Sequence, residues 1–154
     1  MSSEPRDAVE RVWRDQGAKL WRSLVAFTGD PDVATDAMAE AFAQALGRGD
    51  ALRTHDRWIW RASYRIAAGE LKRRRDGGTP ALGSNYEMPG PTVDLVRALS
   101  KLSPAQRAAI VLREYADLPT REVARVLGCS QATVRVHLSQ ARRRLRPLLE
   151  ETGD

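Results

Sequence analysis

Residues Thr120 to Arg146, TREVARVLGCSQATVRVHLSQARRRLR, hold two short helical patterns separated by Leu127-Gly128-Cys129-Ser130. No other stretch constrains the fold as tightly. The first pattern opens at Thr120, a good N-cap residue after Pro119, and carries Val123, Ala124 and Leu127 on one face. Gly128 predicts a stop, because glycine enters the left-handed conformation without a side-chain clash, and Ser130 is placed to cap the next helix. On that helix Val134, Leu138, Ala141 and Leu145 recur at three- and four-residue steps and form an inward seam. Two helices joined by a glycine turn, the second basic on every side but its seam, have the layout of a helix-turn-helix, which makes DNA the leading partner.

The outward side of the second helix carries Thr133, Arg135, Val136, Ser139, Gln140 and Arg143. Arginine can fork onto a guanine edge, glutamine can pair with adenine, and valine can meet a thymine methyl, so Arg135, Gln140 and Val136 are candidate base readers. Arg142, Arg143, Arg144 and Arg146 supply charge that phosphates attract without regard to sequence. The alternative is an ordinary amphipathic helix with a solvated arginine face, and the glycine turn with its double capping weighs against it.

The rest of the chain fits the same reading. At 154 residues it can form one domain or two small helical ones, and its net charge of +5 favours a polyanionic partner. No apolar run is long enough to span a bilayer, and the start MSSEPRDAVERVWRD lacks the basic-then-apolar order of a signal peptide. The expected compartment is therefore the cytoplasm, with no membrane partner. Cys129 is the only cysteine and is expected to plug the turn as a small apolar residue. His55 and His137 have no companions at metal-ligand spacing, so no metal or other cofactor is expected.

Between Asp76 and Pro91 the sequence DGGTPALGSNYEMPGP gathers glycine and proline without an apolar period and reads as a flexible linker. The expected architecture is all-α, with no strand pattern: an N-terminal domain over residues 1–75, a linker over 76–91 and a C-terminal helix-turn-helix domain over 92–154. In the first domain Val9, Val12, Trp13, Leu20, Trp21, Leu24 and Phe27 predict one helix that stops at Thr28-Gly29. Asp30 as N-cap and Pro31 at the first helical position start a second, which buries Val33, Ala37, Met38, Ala41, Phe42 and Ala45. Its other side stacks Asp32, Asp36 and Glu40, whose like charges repel by a few tenths of a kcal/mol. That stripe is either a solvated face or a docking surface for a basic partner.

A third helix is expected over about His55 to Arg75, with Arg57, Arg61, Arg65, Lys72 and Arg75 on one side and Tyr64 among them. Arginines beside flat rings suit single-stranded nucleic acid, where unstacked bases rest on aromatic faces. Trp58 is expected in the core and Trp60 at the border. In the second domain, a helix over Val93 to Leu102 precedes Ser103-Pro104-Ala105-Gln106, a capping-box sequence, and Leu99, Leu102, Ala108, Val111, Leu112 and Tyr115 supply the apolar side.

Taken together, these residues resemble a bacterial sigma factor of the extracytoplasmic-function type. The most specific stretch runs from Leu102 to Leu145; FTGDPDVATDAMAEAFAQAL and WIWRASYRIAAGELKRRR resemble, in the right order, the clamp-docking and minus-ten segments. The resemblance implies that Asp36, Glu40 and Phe42 hold the clamp of the largest subunit of core RNA polymerase. It implies that Arg57, Arg61, Arg65 and Lys72 grip promoter DNA at the minus-ten element, where Tyr64 or Trp60 stacks on an unpaired base. Arg135, Val136, Ser139 and Gln140 would read the minus-thirty-five element. Ala39, Arg65, Gly69 and His137 stand where the family commonly has glutamine, asparagine, aspartate and arginine, so no base-reading role is carried over to Arg65 or Gly69. An anti-sigma factor is a further partner that the resemblance admits. Such a protein is not an enzyme, and it needs no cofactor. The rival readings are a stand-alone helix-turn-helix regulator and, more distantly, a DNA recombinase, for which the N-terminal lobe offers no clustered Ser, His and Asp set.

Overall fold

Capping chemistry sets the corner between the first two helices. In the computed structural model, which describes residues 4–77 and 90–152, α1 spans Glu4–Thr28 and ends at Gly29, whose φ of 72° places it in the left-handed region. The Thr28 hydroxyl turns back to the Leu24 carbonyl at 2.8 Å and accepts from the Asp30 amide at 3.1 Å, which closes the corner. Asp30 then accepts from the Asp32 and Val33 amides at 2.9 and 3.4 Å, so α2, Pro31–Arg48, begins at the expected cap with proline in its first turn. A short 3-10 turn, Gly49–Ala51, leads to α3, His55–Asp76.

The second group comprises α4 (Gly90–Ser100), α5 (Pro104–Ile110), a π-helical turn (Val111–Tyr115), α6 (Thr120–Leu127) and α7 (Gln131–Thr152). The predicted capping box is present: the Ser103 hydroxyl accepts from the Gln106 amide and the Gln106 side chain accepts from the Ser103 amide, each at 3.2 Å. Helix α4 starts three residues before Val93, because Pro91 falls in the first turn, where no N–H is needed. Most of the expected linker, residues 78–89, lies outside the described residues. Pro119, with φ −65° and ψ 156°, takes the N-cap position expected of Thr120, which becomes the first helical residue.

Helices α1, α2 and α3 pack on one another, as do α4 to α7, and the two groups meet where α3 faces α6 and where α1 faces α4, α5 and the π turn. Leu20, Leu24, Phe27 and Ile59 are buried in the first group and Leu112, Val123 and Val134 in the second, and all belong to one hydrophobic cluster. Several aromatic expectations are corrected. Trp60, placed at a border by the sequence, is buried and donates its indole N–H to Gln16 at 2.8 Å, while Trp58 is only half-buried under the Arg48 guanidinium. Trp13 is 55% exposed, with its ring edge-on to Phe42. Tyr115 is exposed as well: the π turn, closed by the Ala116 amide on the Val111 carbonyl, contains one more residue than an α turn and carries Tyr115 off the apolar stripe.

Candidate nucleic-acid interface

The turn between α6 and α7 is built as its residues require. Gly128 has φ 70°, its amide and that of Cys129 both reach the Ala124 carbonyl, and the Ser130 hydroxyl accepts from the Thr133 amide at 3.1 Å. Cys129 packs half-buried against the core, and burial pushes its thiol above the ordinary range, which suits the packing role expected of it. Val134, Leu138, Ala141 and Leu145 are all buried, so the seam faces inward. Thr133, Arg135, Val136, Ser139, Gln140 and Arg143 are all exposed, which brings the predicted reading residues together on one face.

The side chains on that face are not equally engaged. Gln140 accepts from the Gln106 amide group at 3.1 Å, and Arg144 reaches the Gln106 carbonyl oxygen at 3.4 Å. Arg142 is turned toward Glu114 of the π turn and away from the reading face. Among the described residues no carboxylate lies within ion-pair distance of Arg135 or Arg143, so both guanidinium groups are available to an outside anion.

On α3 the basic row is present and the rings are not where the sequence placed them. Arg57, Arg61, Arg65 and Lys72 are exposed, and Arg57 lies 3.3 Å from Glu122 of α6. Tyr64 is 2% exposed and stacks on Phe27 with ring centroids 5.1 Å apart, and burial drives its hydroxyl well above the ordinary phenol range. Neither Tyr64 nor Trp60 can receive a base in this arrangement, because both rings fill the space between α3 and its neighbours. A cleft of about 350 Å³ between α3 and the α5–α6 layer is lined by Arg61, Tyr64, Arg65, Ala105, Val126 and Gly128.

The acidic stripe of α2 is solvent-facing at Asp32, Asp36 and Glu40, and Glu40 accepts from Gln44 at 3.2 Å. Phe42 is 6% exposed and is therefore a support for this surface, not a contact on it; the exposed apolar groups nearby are Trp13, edge-on to Phe42, and Leu46 on the next turn of α2. Helical spacing had put Trp13 among core residues, and a tryptophan on the apolar stripe of its own helix gives no local sign of being left outside. Two more residues escaped the sequence reading. Glu122 and Arg107 both act across the lobes, and neither carries a motif that marks it.

Comparison with known proteins agrees with this geometry. Residues 92–145 match the family model described as sigma-70, region 4. The ECF RNA polymerase sigma factor SigL of Mycobacterium tuberculosis is 28% identical, over 94% of this chain and 90% of its own length. The RNA polymerase sigma-E factor of Streptomyces avermitilis is 29% identical, over 92% of this chain and 84% of its own. Among solved structures, the sigma factor RpoE of Bartonella quintana, in complex with the anti-sigma factor NepR, superposes with a TM-score of 0.76 at 21% identity, covering 97% of this chain and 98% of that one. CnrH, in complex with the cytosolic domain of CnrY, gives the same TM-score over 95% of this chain. Residues 92–145 thus carry a sigma-70 region 4 domain, and along nine-tenths of its length the chain is similar to RNA polymerase sigma factors of the extracytoplasmic-function type.

Proposed function

We propose that the chain is an alternative sigma factor whose two helical lobes divide the work of choosing a promoter for core RNA polymerase. Residues 1–75 act as the unit that docks on the polymerase clamp and meets the minus-ten element, residues 76–91 join the lobes, and residues 92–154 meet the minus-thirty-five element. Arg135, Val136, Ser139 and Gln140 read base edges in the major groove, with Thr133 at the start of the helix and Arg143 on a phosphate. Asp36 and Glu40 face the clamp, with Phe42 bracing them from beneath. Arg57, Arg61, Arg65 and Lys72 hold the minus-ten strand by its phosphates; Tyr64 joins them only if α3 parts from its neighbours.

The observation that carries this reading is the coexistence of two outward surfaces of opposite sign: an acidic row on α2 and a reading row on α7. A stand-alone regulator has use for the second and none for the first. The protein lends sequence choice to a polymerase and makes no bonds itself, and its place of action is the cytoplasm, where polymerase and chromosome meet. Among the described residues no helix is long and apolar enough to cross a membrane. An anti-sigma factor is a further partner, as NepR is of RpoE in their complex. Transcription in vitro with core polymerase and a genomic library tests the reading: the purified chain should direct initiation from a restricted set of start sites, and failure to form a complex with core polymerase at any salt concentration would reject it.

A further inference from the structure

Gln106 of α5 stands between the cap of its own helix and the outward side of α7, and hydrogen-bond chemistry fixes which end of its amide meets which neighbour. The Ser103 backbone N–H donates to Gln106 Oε1 at 3.2 Å, and Arg144 Nη1 donates to the same oxygen at 3.4 Å. Both groups can only donate, so neither tolerates an amide NH2 in that place. Oε1 is therefore held toward Ser103 and Arg144, which leaves Nε2 toward α7, where it donates to Gln140 Oε1 at 3.1 Å.

The polarity passes on to α7. Gln106 Nε2 has only hydrogens to offer, so Gln140 must turn its carbonyl oxygen to α5, and what it keeps for an outside partner is its own NH2 group. Gln140 is exposed, one turn beyond Val136 and next to Ser139 and Arg143 on the outward side of the helix. A glutamine that pairs with adenine sets its oxygen and nitrogen side by side toward the base, the oxygen accepting from N6 while the nitrogen donates to N7. With its oxygen held by α5, Gln140 loses the accepting half of that pair. The edges that suit it are those that accept: guanine at N7 and O6, or thymine at O4. Cytosine, which presents only the donating N4 amino group, is refused.

We propose that Gln106 is a positioning residue for base choice: by fixing the sense of the Gln140 amide it makes that side chain a donor and turns the helix-turn-helix toward guanine or thymine at the base Gln140 meets. This rests on the base-reading role given to Gln140 under the proposed function.

The test selects bound duplexes from a randomised library with the full chain and sequences them, for the parent and for variants at both positions. Gln140→Ala identifies the base pair concerned, as the one where preference fades. There the parent should favour guanine or thymine over cytosine by about fivefold. Gln106→Glu keeps the capping box, because a carboxylate accepts from the Ser103 amide and from Arg144, but it cannot donate to Gln140. Gln140 then turns its NH2 group to α5 and its oxygen outward, so the preference at that one position should invert toward adenine or cytosine, whose exocyclic amino groups donate. The added negative charge weakens all duplexes alike and leaves the ratio among bases unchanged. Gln106→Ala keeps the test intact if the glutamate variant fails to fold by circular dichroism; it unties Gln140 and should reduce the parent's preference to about twofold or less. Gln106→Glu combined with Gln140→Ala should show the base preferences of Gln140→Ala alone, the mark of an effect that runs through the amide and not through the fold of α5. An unchanged preference at the Gln140 position in both single variants at residue 106, or a parent that favours adenine or cytosine there, would overturn the positioning role while leaving Gln140 a base reader. If Gln140→Ala alters no position, the base-reading role of Gln140 falls and the inference with it.

Discussion

The Arg74 guanidinium lies 2.6 Å from the Asp30 carboxylate, so the last turn of α3 is tied to the residue that starts α2. Burial alone would raise the Asp30 carboxyl; the Arg74 hydrogen bond and the amides of Asp32 and Val33 outweigh it and hold the group below the usual carboxylate range. One side chain thus sets a helix start and braces the corner of the lobe.

Asp30→Ala should cost about 1–2 kcal/mol of stability through loss of the cap, with the Arg74 pair adding to it. Because the folded carboxyl titrates below its unfolded value, its contribution is fully present above about pH 4 and is lost as pH falls through the folded value. Urea unfolding of parent and variant should therefore show a clear gap at about pH 7 and a smaller one at about pH 3. A gap that does not change with pH would remove the charge from the explanation.

For Arg135→Ala, binding to promoter duplexes should lose about 1–3 kcal/mol of discrimination at a single base position. Arg143→Ala should weaken all sequences alike and flatten the salt dependence. Competition binding against a randomised duplex library reads both, and an even loss of affinity for Arg135→Ala would make it a phosphate contact.

Glu40→Lys reverses one charge on an exposed face and should abolish capture by core polymerase while leaving the circular dichroism spectrum unchanged. Unaltered capture would take the α2 stripe out of the docking surface.

Gly128→Ala meets no steric wall, since its β-carbon would lie 3.6 Å from the nearest atom, the Arg61 guanidinium nitrogen. The cost comes from φ 70° alone and should be about 1–2 kcal/mol, read as a lower unfolding midpoint. A loss well beyond that would mean that the turn itself rearranges.

The helix-turn-helix was legible in the sequence because its signals are local: a glycine that must turn left, a serine that caps the second helix, and an apolar seam with helical spacing. The Asp30-Pro31 start and the Ser103–Gln106 capping box were legible for the same reason. Local rules do not reach the orientation of α3. A helical wheel puts Tyr64 among the arginines, but its ring is buried on Phe27 of α1 while Arg57, Arg61, Arg65 and Lys72 stay exposed, and that depends on how the helices pack. Arg107 is harder still, for an arginine reads as surface until a carbonyl 80 residues away is found to need it. The π turn leaves no mark either, and with it went the placement of Tyr115. Trp13 was misplaced in the core because a period says which residues share a stripe and not which end of the stripe the neighbouring helix covers, whereas the burial of Phe42 follows its period.

Gln106 closes the capping box of α5 and at the same time grips Gln140 and Arg144 on α7. The start of one helix and the aim of two side chains on another thus hang on a single amide. A change at residue 106 made only to strengthen or weaken a helix end would also release Gln140 and Arg144 on α7, so the two helices cannot be adjusted independently at that position.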